Sequence, residues 1–311
     1  MNKLFLLITV LMTSLFFLSC NDKDNTALQN TKTIGVSLLT RGHIFYRDLE
    51  EGLRTEAEKK GYNLIITSAE WDLGKQTSQV EDFISRKVDA IVICPVDSKG
   101  IGSGITEANK AGIPVFTADI AAEEGKVVSH IASDNVQGGK LAGEYLAKLL
   151  KGKGKVAIIN QPAITSVLDR VAGFKEAISG YPDIKIAADV NGQGVRDRSL
   201  QAAADVLQAN PDLNGIFGIN DDTALGALDA VNQFNRRGIS IIGYDATPPA
   251  ADAILKGTSL KADVVQYPKK IGIKTIDIIS DYFNNKPVPE NVPVEVGIVD
   301  KEALKNKNTS E

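Results

Sequence analysis

The chain has 311 residues, of which 43% are hydrophobic, 24% charged and 6% aromatic, and its formal net charge is −4. That apolar content supports one large α/β domain or two smaller ones. A mildly acidic balance supplies no global attraction to nucleic acid, so DNA and RNA are excluded as expected partners.

Residues 1–19 read as a signal peptide. Lys3 gives a positive start, and Leu4 to Leu18 is an apolar run interrupted only by Thr9, Thr13 and Ser14. A membrane-spanning helix needs ~20 apolar residues, so the run is short for that role. It ends at Leu18-Ser19-Cys20 and is followed by the polar stretch Asn21 to Lys32. A small residue and a Cys in that place are similar to the lipobox of bacterial lipoproteins, in which the Cys becomes the lipidated first residue. On that reading Cys20 carries a membrane anchor and residues 20–32 are a flexible tether. The alternative is an ordinary signal peptide with a chance Cys.

From residue 33 onward, short apolar, β-branched runs alternate with amphipathic stretches. The predicted strands are Thr33–Leu39, Asn63–Ser68, Ala90–Cys94, Pro114–Ala118, Ser129–Ser133, Lys155–Asn160, Ile184–Asp189, Gly215–Ile219, Ile239–Tyr244 and Ser259–Val265. The predicted helices are Phe45–Lys60, Lys75–Arg86, Ser98–Ala111, Asn135–Leu150, Ser166–Ser179, Asp197–Asn210, Asp221–Gln233, Pro248–Lys256 and Pro268–Asn284. Strand runs that are apolar throughout, rather than alternating, predict parallel sheets covered on both faces. Repeated β-α-β order predicts a doubly wound fold. Gly61, Gly112, Gly180, Gly238 and Gly257 stand where left-handed helix caps belong.

The chain also echoes itself. "DAIVICPVDS" leads through a helix to "AGIPVFTAD", and "NGIFGINDDTALGAL" leads through a helix to "RGISIIGYDAT". This echo favours two similar domains over one. Ligands of such sheets bind outside the carboxyl ends of the strands, which would set Asp119 and Asp245 on opposing walls of one cleft.

Enzyme signatures are missing. There is no phosphate-binding loop, dinucleotide fingerprint, nucleophile elbow, metal spacing or calcium loop. Cys94 stands alone at a strand end, and the chain has only two His, His43 and His130. A lone Cys there reads as a small buried hydrophobe rather than a nucleophile, and His130, inside a strand, reads as packing. No catalysis, cofactor or metal is expected. The strand ends instead carry His43, Phe45, Tyr46, Asp119, Asn220, Asp245 and Gln266. Planar polar groups can pair with neighbouring hydroxyls and aromatic faces can cover the C–H face of a sugar ring. Read from spacing alone, core packing and helix capping explain these residues equally well. Asp221 and Asp222 read as N-cap or first-turn acids without a ligand role.

Four segments point further: "VVSHIASDNVQGG" (Val127–Gly139), "NDDTALGALDAV" (Asn220–Val231), "GYDATP" (Gly243–Pro248) and "VVQYPKKIG" (Val264–Gly272). In this order they closely resemble the ribose-binding protein family of periplasmic binding proteins, and the similarity runs from about Thr33 to Val299. The resemblance implies two Rossmann-like lobes, 33–133 plus 267–295 and 134–266 plus 296–311. It joins them by a hinge of three segments near Ser133-Asp134, Gln266-Tyr267 and Pro293–Val296. It also implies a monomer outside the cytoplasm that closes over a sugar or polyol and docks on an ABC permease in the inner membrane. In some members the closed form also docks on a chemoreceptor.

Carried over by position, the family's sugar contacts fall on Phe45, Tyr46, Asp119, Arg170, Asn220, Asp245 and Gln266. Four positions depart. His43 and Cys94 replace Asn, Ile120 replaces an Arg, and Gly194 falls at or near a third aromatic. A buried hydroxyl without a partner costs about 1–3 kcal/mol, so ribose is put in doubt and another pentose, a hexose, a deoxysugar or a polyol comes into play. Trp71, the only Trp, either reaches the cleft or covers the first lobe; the simpler reading is cover. Three other functions fit the fold. One is a sensory binding protein feeding a membrane receptor or histidine kinase. Another is a sugar-responsive repressor, which needs an N-terminal helix-turn-helix where this chain has a signal-like segment. The last is an enzyme with an unreadable site.

Overall fold

The computed structural model of the protein describes residues 31–308. The expected signal peptide, Cys20 and the tether up to residue 30 lie outside the described residues. The first part of the chain forms β1 (Thr33–Leu38), α1 (Ile44–Lys60), β2 (Asn63–Ser68), α2 (Leu73–Ser85), β3 (Ala90–Ile93), α3 (Gly102–Lys110), β4 (Val115–Ala118) and β5 (Ser129–Ser133). The second part begins with α4 (Asn135–Leu149), β6 (Lys153–Asn160), α5 (Thr165–Ser179) and β7 (Asp183–Asn191), and continues with α6 (Arg196–Ala209) and β8 (Gly215–Gly218). It ends with α7 (Asp221–Gln233), β9 (Ser240–Asp245), α8 (Pro248–Leu255) and β10 (Leu260–Val265). The chain then returns through α9 (Pro268–Phe283) and β11 (Asn291–Val294) and finishes with β12 (Gly297–Asp300) and α10 (Lys301–Asn308).

These strands form two six-stranded sheets, ordered β11-β5-β4-β3-β1-β2 and β12-β10-β9-β8-β6-β7. The two orders correspond strand for strand, which is the structural form of the echo in the sequence. The chain passes between the sheets three times, between β5 and α4, β10 and α9, and β11 and β12. The expected architecture of two doubly wound lobes is therefore present.

Burial explains the apolar strands. In β1, Ile34, Val36 and Leu38 are fully buried on one face. On the other face a Cβ at Gly35 would stand 2.6 Å from the Phe83 ring of α2, so the missing side chain admits that ring. Helix pairs approach as closely. A Cβ at Gly139 of α4 would lie 2.0 Å from the Arg170 carbonyl of α5, and one at Gly173 of α5 would lie 2.0 Å from the Val136 carbonyl. The α4–α5 backbones thus touch, and that contact fixes the height at which Arg170 stands in the second lobe.

The structure adds and corrects detail. Strands β11 and β12 and helix α10 were not predicted; both strands are short, and β11 carries Pro293, tolerated because β11 is an edge strand. β12 runs antiparallel to β10, so the second sheet is mixed rather than wholly parallel. Helix α3 starts later than expected because the Asp97 carboxylate accepts from the Lys99 and Gly100 amides and holds a turn there. Gly61, Gly112 and Gly257 are left-handed, with φ of 71°, 77° and 75°. Gly180 is not: at φ −71° it stays right-handed while its N–H bonds Ala177 O. Gly238 is left-handed but lies beyond the end of α7, where Asn235 takes the left-handed position.

Candidate ligand-binding cleft

A small cavity, about 50 Å³, lies at the carboxyl ends of both sheets and is lined from both lobes. From the first lobe come Leu39, His43, Phe45, Tyr46, Trp71, Asp119 and Ile120, and from the second Gln161, Ile164, Ser166, Val167, Arg170, Asn220 and Asp245; Gln266 stands at a crossing between them.

The first-lobe wall is built by the start of α1. His43 caps that helix, its Nδ1 accepting the Phe45 N–H at 3.2 Å. The Nε2 of the same ring therefore carries the hydrogen, and it faces Asp245 Oδ2 at 3.5 Å and Asp222 Oδ2 at 3.9 Å across the cleft. Phe45 and Tyr46 are buried and meet edge to face with centroids 5.2 Å apart. Tyr46 Oη donates to Asp119 Oδ2 at 2.7 Å, leaving Asp119 Oδ1 buried and unpartnered. Burial pushes the Asp119 carboxyl up to about 6, against the pull of the Arg170 charge. Burial also raises the Tyr46 phenol, so it stays a donor.

The second-lobe wall is held from behind. Arg170 Nε donates to Asn135 Oδ1 at 2.9 Å and Nη1 to the Ile219 carbonyl at 2.8 Å, while the guanidinium lies 3.9 Å from the Tyr244 ring centroid. Asn220 caps α7 by accepting from the Thr223 N–H at 2.8 Å and donates to the Gly194 carbonyl at 3.0 Å, which keeps its amide plane fixed at the rim. Asp245 ends β9 with φ 120°, followed by Ala246 at φ 56°, both in the left-handed region. Gln266 Nε2 donates to Asp245 Oδ1 at 2.5 Å, and Gln266 Oε1 is buried without a partner.

Eight expected residues thus meet in one cavity: His43, Phe45, Tyr46, Asp119, Arg170, Asn220, Asp245 and Gln266. Trp71 also lines it, although it was read as cover. Cys94 does not. It is fully buried behind the wall, where burial raises its thiol and keeps it neutral. Gly194 leaves no open space, because a Cβ there would fall 2.2 Å from Gln161 Oε1, so the Gln161 side chain occupies the gap. Gln161 and Ser166 were missed. The rule that ligands sit outside strand ends would have found Gln161, which directly follows β6. His130 bonds Thr117 inside the first sheet, away from the cavity, and burial lowers it to about 4. Elsewhere at the lip the lobes touch directly. Thr165 N–H donates to Ser98 Oγ at 3.1 Å, and the Thr165 hydroxyl exchanges bonds with the Ala121 amide and carbonyl, each at 3.1 Å.

Among the described residues, no cluster of His, Cys, Asp and Glu could hold a metal ion, and no helix is long and apolar enough to cross a membrane. The profile of the periplasmic binding protein domain family matches residues 34–287. This chain belongs to that family. Within it, the chain is 34% identical over 271 residues to the ribose import binding protein RbsB of Salmonella typhimurium, covering 87% of this chain and 91% of that one. The resemblance read from the four sequence motifs is borne out. Among solved structures, a periplasmic solute-binding protein of an ABC transporter from Actinobacillus succinogenes with bound D-allose is similar at TM-score 0.81 and 31% identity. The match covers 89% of this chain and 100% of that one. The fructose-binding periplasmic domain of a hybrid two-component system is similar at TM-score 0.82 and 26% identity, covering 90% of this chain and 95% of that one. These relatives of the periplasmic binding protein family are solute binders rather than enzymes, in line with the expected absence of catalysis.

Proposed function

We propose that this protein is the extracytoplasmic solute-binding component of an ABC transporter and that it closes over one monosaccharide or polyol. The observation that carries this reading is the pair of buried acceptors, Asp119 Oδ1 and Gln266 Oε1, left without partners on the wall of a two-lobed cavity. A buried acceptor without a donor costs about 1–3 kcal/mol, and the hydroxyls of a neutral ligand supply donors. Phe45, Tyr46 and Trp71 give the apolar surface for its C–H face. Binding favours the closed form because only then do both walls reach the ligand.

Ile120 stands where the resemblance implies a guanidinium, and Gln161 fills the space at Gly194, where it implies an aromatic ring, so another pentose, a hexose or a polyol competes with ribose as the ligand. Calorimetry with D-ribose, D-allose, D-fructose, xylitol and myo-inositol tests the reading. At least one is expected to bind one-to-one, and no heat from any pentose, hexose or polyol would overturn it. Lipidation of Cys20 is part of the proposal; a Cys20→Ser protein found in the soluble fraction supports it, and unchanged membrane association contradicts it. The protein is a monomer by this reading, which native mass spectrometry reads directly.

A second reading is a sensor that feeds a membrane receptor or histidine kinase, favoured by the similarity to the fructose-binding two-component domain. Ligand-stimulated ATP hydrolysis by the partner permease separates transport from sensing.

A further inference from the structure

Behind the cavity lie two acids that no ligand can touch. Asp221 opens α7 at 1% exposure and Asp263 sits within β10 at 0%. Asp263 pairs in register with Gly243 of β9, which has no side chain. A Cβ at Gly243 would lie 2.8 Å from Asp263 Oδ2 and 3.2 Å from Asp221 Oδ1, so both carboxyls lean over the same glycine. Neither of those two oxygens has a hydrogen-bond partner.

The outer oxygens reach the turn that follows β9. Asp221 Oδ2 accepts the Thr247 N–H at 2.6 Å, and Asp263 Oδ1 accepts the Ala246 N–H at 3.4 Å. This is the turn that carries Asp245 with two successive residues at positive φ. Such conformations cost about 1–3 kcal/mol each and persist only where the surroundings hold them.

We propose that Asp221 and Asp263 share one proton, and that the resulting acid–carboxylate clamp is a positioning device that holds Asp245 at the ligand. Two bare carboxylates in contact in a dry interior repel; one proton between them turns the contact into a short, charge-assisted hydrogen bond. The proton sits on Asp263, because Asp221 lies at a helix N-terminus and accepts the closer amide, both of which favour its anion. Burial holds both carboxyls above their ordinary range, Asp221 at about 7 and Asp263 well above its usual value. Asp245, at the end of β9, is the further charged group acting on both acids, and its own negative charge opposes loss of the proton. His43 faces Asp245 from α1 on the far side.

The role of Asp245 as a ligand contact rests on the proposed function; the clamp itself does not. The test uses the full mature protein. Infrared spectra at neutral pH are expected to show the carbonyl stretch of a protonated carboxyl in the wild type, and its loss in Asp263→Asn. Hydrogen exchange at the Thr247 amide is expected to stay slow in Asp263→Asn, whose amide can donate to Asp221, and to quicken in Asp263→Val. Affinity for whichever of D-ribose, D-allose and xylitol binds should fall at least ~10-fold in Asp263→Val and stay within about 3-fold in Asp263→Asn. The wild type should lose affinity only well above neutral pH, where the shared proton leaves Asp263, while Asp263→Asn should not. A wild type without the carboxyl band, or Asp263→Val with unchanged Thr247 exchange, overturns the clamp. If the band and exchange behave as stated but no sugar binds, the clamp stands and the transport reading falls.

Discussion

Tyr46 and Asp119 form one half-finished hydrogen-bond network: the phenol donates to Oδ2 at 2.7 Å and Oδ1 stays unpartnered. The aromatic at the start of α1 therefore orients the carboxylate after β4. Tyr46→Phe removes that donor while keeping the ring. A hydrogen bond to a charged group contributes roughly 1.5–3 kcal/mol, so sugar affinity should fall at least ~10-fold with the melting curve still cooperative. Calorimetry with unchanged affinity would falsify the link.

Asp119 also sets a pH dependence. Its carboxyl titrates near 6 in the folded protein instead of 3.8, chiefly through burial. Raised in this way, it holds a proton that the unfolded chain has already released, so its contribution to stability is best below pH ~4 and declines as pH rises to ~6. Ligand hydroxyls favour the ionised form, so binding runs the opposite way and should weaken as pH falls through about 6. The Asp119→Asn protein should show neither slope. Thermal and calorimetric titrations across that window check both signs.

At Asp245 three groups converge: Gln266 Nε2, the His43 ring and the cavity itself. Asp245→Ala should weaken sugar binding at least ~10-fold and leave the fold intact. An unaltered dissociation constant would remove this residue from the site.

Gly139→Ala drives a methyl into the Arg170 carbonyl, where only 2.0 Å is available. Overpacking of this kind destabilises by about 1–3 kcal/mol. Because the atom struck belongs to Arg170, affinity should drop together with the melting temperature. A drop in melting temperature alone would show that Arg170 does not read the α4–α5 spacing.

The lip contact between Thr165, Ser98 and Ala121 needs no ligand. Thr165→Val should open the unliganded protein, seen as a larger radius in X-ray scattering, and weaken sugar binding by ~3- to 10-fold. The same scattering profile as wild type would count against it.

Much of this was legible in the sequence, for a physical reason. A strand buried on both faces, such as β3, is apolar throughout, and that pattern is hard to mistake. Asp119 and Asp245 could be placed because one directly follows a buried strand and the other ends one. What escaped was set by tertiary partners. β11 and β12 are short edge strands whose pairing partners lie far away in the chain. Gln161 fills the space beside Gly194, a relation between two separate loops. Asp221 of α7 and Asp263 of β10 are forty-odd residues apart and come together only over Gly243 of β9.

The last crossing has a mechanical consequence. β11 ends at Val294 in one sheet and β12 begins at Gly297 in the other, leaving only Glu295 and Val296 between two hydrogen-bonded edges. At ~3.5 Å per residue, that linker is too short for the halves to drift apart. On the proposed reading of closure over a ligand, this short crossing limits the halves to swinging and twisting about it, so little orientational entropy is lost when the cleft shuts.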